Sequence, residues 1–210
     1  MTTALDDLQS LTALQLDALR EVANMGAGHA ATALSQMTGS TIMISVPTIE
    51  VARLEDLPPV LGPTEQPVAG VLMDMLGDLT GRTVLVFPKA TVMRMAEMML
   101  RRPVGSSVAL GELERSAIKE AGNILSGAYM NALSDFMGMV LLPSPPALAV
   151  DLSSAVLTRE FLRLGEDAEH VFVVETEFSM HDVGESLRGF FLLLPDPASL
   201  QQILRAIRLA

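Results

Sequence analysis

Residues 17–47 read DALREVANMGAGHAATALSQMTGSTIMISVP, and residues 116–146 read SAIKEAGNILSGAYMNALSDFMGMVLLPSPP. Laid over one another without a gap, at a constant offset of 99, they match at Ala18/Ala117, Glu21/Glu120, Asn24/Asn123, Gly28/Gly127, Ala33/Ala132, Leu34/Leu133, Ser35/Ser134, Gly39/Gly138, Ser45/Ser144 and Pro47/Pro146. Self-similarity at a fixed spacing is the mark of a repeat architecture and decides the organisation of the chain before any single element is assigned. The likeness continues outside this window. GRTVLVFPKATVMRMAEMML at 81–100 resembles LRGFFLLLPDPASLQQILRAI at 187–207, each an apolar strand, a proline and an amphipathic helix. Two repeats, about 10–104 and 109–208, are therefore expected to form one domain.

Working outward, the first repeat predicts a helix near 10–37, strands near 41–54, 67–77 and 81–88, and a helix near 89–100. The second predicts a helix near 110–137, strands near 139–151, 155–164, 170–180 and 187–194, and a helix near 196–208. Pro58, Pro59, Gly62 and Pro63 mark a loop between strands. Connections such as LGDLTG at 76–81 and LGEDAEH at 164–170 are too short for parallel crossovers, so neighbouring strands should run antiparallel. The expected fold is α+β: a pseudo-twofold duplication sharing one mostly antiparallel sheet, two long helices on one face and a shorter helix in each half.

The run GAGHAA at 26–31 has the look of a nucleotide-binding loop, which needs a buried strand immediately before it. Upstream, Leu11, Leu14, Leu19 and Val22 instead recur at helical intervals among polar residues. GAGHAA is read as helix interior. Gly26 and Gly28 each cost such a helix roughly 1 kcal/mol relative to alanine, which suggests close approach of a neighbouring element.

Half of the 210 residues are hydrophobic and the mean hydropathy is +0.40, enough for a substantial core. With no Trp and 14 Met, that core must be built from aliphatic side chains and adaptable thioethers. The net charge of −11, with no basic cluster longer than Arg101-Arg102, argues against nucleic acid and anionic lipid. No apolar run approaches the ~18 residues of a membrane span, and MTTALDDLQS lacks the basic start of a signal peptide. The expected location is cytoplasmic, without membrane insertion. The chain has no Cys, and its three His (His29, His170, His181) are too scattered for a zinc site.

The matched polar positions carry the functional information. Asp17, Glu21 and Asn24 lie at i, i+4 and i+7, a narrow stripe on one helix face, and Ser116, Glu120 and Asn123 repeat it. Spacing alone leaves two readings open: a functional pair kept twice, or a solvated face inherited through duplication.

Asp or Ser, three residues, Glu, two residues, Asn, 22 residues and Pro, present as Asp17, Glu21, Asn24, Pro47 and again as Ser116, Glu120, Asn123, Pro146, resembles the signature of the CheC/CheX/FliY family of phosphatases. ANMGAGHAATALS is similar to the NIGAGNAATALS run of that family, His29 standing where Asn is common. The doubled signature resembles the two-repeat members rather than CheX, which has one long helix per chain, and no FliY-type switch domain is expected. The resemblance implies hydrolysis of the aspartyl phosphate of a phosphorylated CheY-type receiver. Asn24 and Asn123 would position the attacking water, and Glu21 and Glu120 would pair with a receiver lysine. Asp17 and Ser116 would orient the Glu or touch the receiver, while Pro47 and Pro146 would support the site. Mg²⁺ would come from the receiver, so no cofactor or metal ligand is expected in this chain. A monomer is expected, with CheD as a further partner. The alternative implied by the resemblance is a CheD-binding adaptor with little phosphatase activity.

Overall fold

A computed structural model describes residues 13–53, 66–164, 170–180 and 185–209. The first half contains α1 (Ala13–Thr38), β1 (Ile42–Ile44), β2 (Thr48–Arg53), β3 (Pro67–Gly77), β4 (Gly81–Pro88) and α2 (Lys89–Met99). The second contains α3 (Glu112–Met137), β5 (Leu141–Pro143), β6 (Ala147–Leu152), α4 (Ser153–Leu164), β7 (His170–Met180), β8 (Glu185–Pro195) and α5 (Pro197–Leu209).

Both long helices have 26 residues and stop in the same way. Gly39 and Gly138 take left-handed φ values of 74° and 62°, a conformation that glycine adopts without a Cβ clash. Their N–H groups donate to the carbonyls of Ser35 and Ser134. The hydroxyls of the same two serines turn the chain into the next strand: Ser35 Oγ accepts from Ile42 N at 2.9 Å, and Ser134 Oγ donates to the Met139 carbonyl.

The strands form one eight-stranded sheet, and every pairing is antiparallel. β4 pairs with β8 at its centre, with β3 and β7 outside them. The edges are exchanged between the repeats: β1 and β2 pair with β7 of the second half, while β5 and β6 pair with β3 of the first. Each repeat thus completes the other's sheet, and neither half has its own edge. Segments predicted as single strands near 41–54 and 139–151 are each two strands, interrupted at Pro47 and Pro146, where proline offers no N–H to a ladder.

Alternation along the central strands divides the core. Leu85, Phe87, Phe172, Val174 and Phe191 point to the face covered by α1, α2, α3 and α5. Val84, Val86, Val171, Val173, Phe190 and Leu192 point to the opposite face, where Val156 and Leu157 of α4 pack. This two-sided burial explains the unbroken apolar run GFFLLLP at 189–195.

A further element departs from expectation in kind: 155–164 belongs to the helix α4 and is not a strand. Val156, Leu157, Phe161 and Leu164 recur at helical intervals in the sequence after Ser153-Ser154, a pair suited to a helix start. The second sheet face supplies the apolar surface it needs. The loop expected around Pro58, Pro59, Gly62 and Pro63 lies outside the described residues.

Candidate functional site

The helix carrying GAGHAA is continuous, as its periodicity predicts. Its two glycines have opposite environments. A Cβ on Gly26 would lie 2.7 Å from Tyr129 Cδ1 and 3.0 Å from Tyr129 Cα, so α1 and α3 approach here too closely for a side chain. A Cβ on Gly28 would meet nothing within 4 Å, which corrects the expectation that this glycine also admits a neighbouring element. In the second repeat Gly122 takes up the packing role, its Cβ position lying 2.5 Å from Val71 Cγ1 of β3, while Gly127 again faces open space.

Packing in this way fixes the opposite faces of α1 and α3 toward solvent. Asp17, Glu21 and Asn24 are exposed; so are Ser116 and Glu120, and Asn123 is half-buried. At about 100° per residue, Asp17, Glu21, Asn24 and Gly28 fall within roughly 60° of arc, and Glu21 and Asn24 stand about 4.5 Å apart along the axis. The buried side of the same helix carries Leu19, Val22, Ala23, Ala27, Ala30 and Leu34. Among the described residues, no hydrogen bond or ion pair engages Glu21, Asn24, Glu120 or Asn123. Three of the four groups, Glu21, Asn24 and Glu120, are exposed and Asn123 is half-buried, and all four keep their hydrogen-bonding capacity unused among the described residues.

The supporting positions differ between halves. Asp17 binds Arg20 at 2.7 Å, with both side chains more than half exposed, and so does not engage Glu21. Ser116 and Lys119 occupy the equivalent positions in α3. The Arg20 cation beside the first stripe is not among the candidate residues of the sequence reading, although its i,i+3 spacing from Asp17 is visible there. Pro47 is buried and Pro146 half-buried, each in the link between two successive short strands. Next to them, Ser45 N donates to the Glu177 carbonyl, and Ser144 N to the Asp74 carbonyl. Each proline stands where one short strand ends and the next begins. His29 is exposed on α1, about 100° round the helix from Gly28.

Among the described residues, no group of three or more His, Asp or Glu is placed to hold a metal ion, and no helix is long and apolar enough to cross a membrane.

The model of the CheC-like family matches this chain twice, at residues 14–51 and 113–150, the same 99-residue offset that separates the two stripes. Over 195 residues the chain is 33% identical to the CheY-P phosphatase CheC of Bacillus subtilis, covering 92% of this chain and 93% of that protein. The chain belongs to the CheC-like family. The crystal structure of FliY from Thermotoga maritima superposes with a TM-score of 0.77 at 25% identity, covering 95% of this chain and 98% of that one. The FliM middle domain of H. pylori matches with a TM-score of 0.66 at 14% identity, over 93% of this chain and 99% of that one, and so shares the fold. Both family-model matches contain a complete Glu/Asn stripe and its following proline, so neither CheC-like repeat here is truncated at the candidate site.

Proposed function

We propose that this protein hydrolyses the aspartyl phosphate of a phosphorylated CheY-type receiver at two pseudo-equivalent sites, Glu21/Asn24 and Glu120/Asn123. The observation that carries this reading is the outward presentation of the same acid and amide, one helical turn apart, on both long helices. The name of the Bacillus subtilis relative supplies the reaction class.

An acyl phosphate is intrinsically reactive, and phosphoryl transfer passes through a loose transition state, so the enzyme's task is to place a water in line and keep the ensemble aligned. An amide is suited to this: its oxygen accepts a hydrogen bond from the water while its NH₂ donates to the phosphoryl group. Asn24 and Asn123 take that role. The P–O bond to the receiver's aspartate breaks as the water oxygen bonds to phosphorus, leaving a free carboxylate and inorganic phosphate. Glu21 and Glu120 bind the receiver through a charge-assisted pair with its active-site lysine, which sets the docking register. Mg²⁺ arrives as part of the substrate. A single chain carries both sites, so presentation of the pair needs no second copy.

The two roles separate kinetically. Removing an interaction used equally in ground and transition states raises KM, whereas removing the water-positioning group lowers kcat. The Glu21→Gln/Glu120→Gln variant should raise the apparent KM for phosphorylated receiver, and Asn24→Ala/Asn123→Ala should depress kcat. Unchanged KM and kcat in both variants would overturn the assignment.

A further inference from the structure

The glycines inside the long helices are of two kinds. Gly26 and Gly122 are required by packing against Tyr129 and Val71. Gly28 stands in mid-helix, exposed, with nothing within 4 Å of a Cβ, and its repeat partner Gly127 is half-buried and equally unobstructed. Each lowers helix stability relative to alanine by roughly 1 kcal/mol, and packing among the described residues leaves room for a Cβ at both, so it does not demand glycine there.

Their position on the helix supplies the missing partner. Gly28 lies four residues beyond Asn24 and Gly127 four beyond Asn123, so each is the next surface point along the Glu/Asn stripe. At the other end of each stripe, seven residues before the Glu, stand Leu14 and Leu113, exposed by 73% and 59%. The face thus runs from an exposed leucine, through an acid and an amide with no partner among the described residues, to a glycine with open space where a Cβ would stand. That order of leucine, acid, amide and unobstructed glycine occurs twice.

We propose that Gly28 and Gly127 are clearance residues for the receiver, on the phosphatase reading above: main chain of the docked receiver passes over them at a distance that any Cβ would prevent. They are positioning residues. Keeping the receiver close at this point lets the short side chains of Asn24 and Asn123 reach the water in line with phosphorus.

The test uses Gly28→Ala/Gly127→Ala and the bulkier Gly28→Gln/Gly127→Gln, both substitutions by better helix formers. Three quantities are measured: Tm, affinity for a receiver whose active-site aspartate carries beryllofluoride, and catalysed decay of phosphorylated receiver. Tm should stay level or rise. Affinity should fall at least about tenfold with Ala, the scale of a modest overpacking penalty, and further with Gln. Binding and turnover equal to wild type in both variants would overturn the clearance role alone, and a fall in Tm would overturn it by showing that the fold itself needs these glycines. Wild type that neither binds the loaded receiver nor accelerates decay would refute the phosphatase reading, and the clearance role would fall with it.

Discussion

Gly26 and Gly28 lie two residues apart in one helix, which makes a matched pair of alanine substitutions unusually informative. Helix propensity favours alanine at both positions by about 1 kcal/mol, so it cancels in the difference between the variants. What remains is steric. At Gly26 the new Cβ would sit 2.7 Å from Tyr129 Cδ1 and 3.0 Å from its Cα, well inside ordinary van der Waals distance. Tyr129 has little freedom to retreat: it is 5% exposed, stacks on Phe191 with ring centroids 4.7 Å apart, and shares a 2.9 Å hydrogen bond with Thr176 Oγ1. Because the new methyl would press on the backbone of Tyr129 as well as on its ring, α1 and α3 would have to separate. Overpacking of this kind costs roughly 1–3 kcal/mol. Gly26→Ala should therefore be destabilised by about 1 kcal/mol after the propensity gain, while Gly28→Ala gains about 1 kcal/mol. Urea denaturation of the two variants and wild type, compared at a common m-value, measures this. Equal stabilisation by both substitutions would refute the close approach of the long helices at Gly26.

Two further outcomes follow from buried polar groups. Burial pushes the Tyr129 phenol up from its ordinary 10.0 to about 12, only partly opposed by the Thr176 hydrogen bond. Because the folded value is raised, the associated stability is complete below pH 10 and is lost as pH climbs toward about 12. Tyr129 is the chain's single Tyr, so phenolate absorbance reports it directly; Tyr129→Phe should lack this alkaline loss, and ionisation of the folded protein near pH 10 would contradict it. Glu97, 2% exposed, accepts hydrogen bonds from Gly105 N and Ser107 N at 3.0 and 2.9 Å and ties the inter-repeat link to α2. Burial pushes its carboxyl up, but these bonds and the Arg94 guanidinium hold it below the usual 4.5. Glu97→Ala should cost roughly 1.5–3 kcal/mol at neutral pH, a hydrogen-bonded charge being lost. The deficit should shrink as pH falls below 4.5, because a depressed folded value confers stability only above it; a deficit constant with pH would contradict the role.

How much of this was legible in the sequence follows from which interactions are local. The strands at 67–77, 81–88 and 170–180 have the expected bounds because apolar runs closed by turn residues fix them without reference to the rest of the chain. The long helices were legible for the same reason, and the repeat gave each a second witness. Exchange of the short edge strands onto the opposite half was not legible: a three-residue strand such as Ile42–Ile44 carries no mark of its partner, and Ile42 reaches Met180 across more than half the chain. α4 was misread because a run of apolar residues between turns fits a buried strand as well as a helix on a sheet face. At the site, Glu21, Asn24, Glu120 and Asn123 stood out because duplication preserved them at one spacing. Gly26 and Gly28 could not be told apart, since a packed glycine and an open one are the same letter.

The most direct test of the two-site account is the decay rate of a phosphorylated receiver with Mg²⁺, comparing wild type, Asn24→Ala, Asn123→Ala and the double variant. Two working sites predict that wild type accelerates decay, that each single variant keeps part of the acceleration, and that only the double variant returns it to the spontaneous rate. Undiminished acceleration by the double variant would contradict water positioning by the asparagines. Decay unaltered by wild type with cognate receivers would contradict phosphatase activity itself.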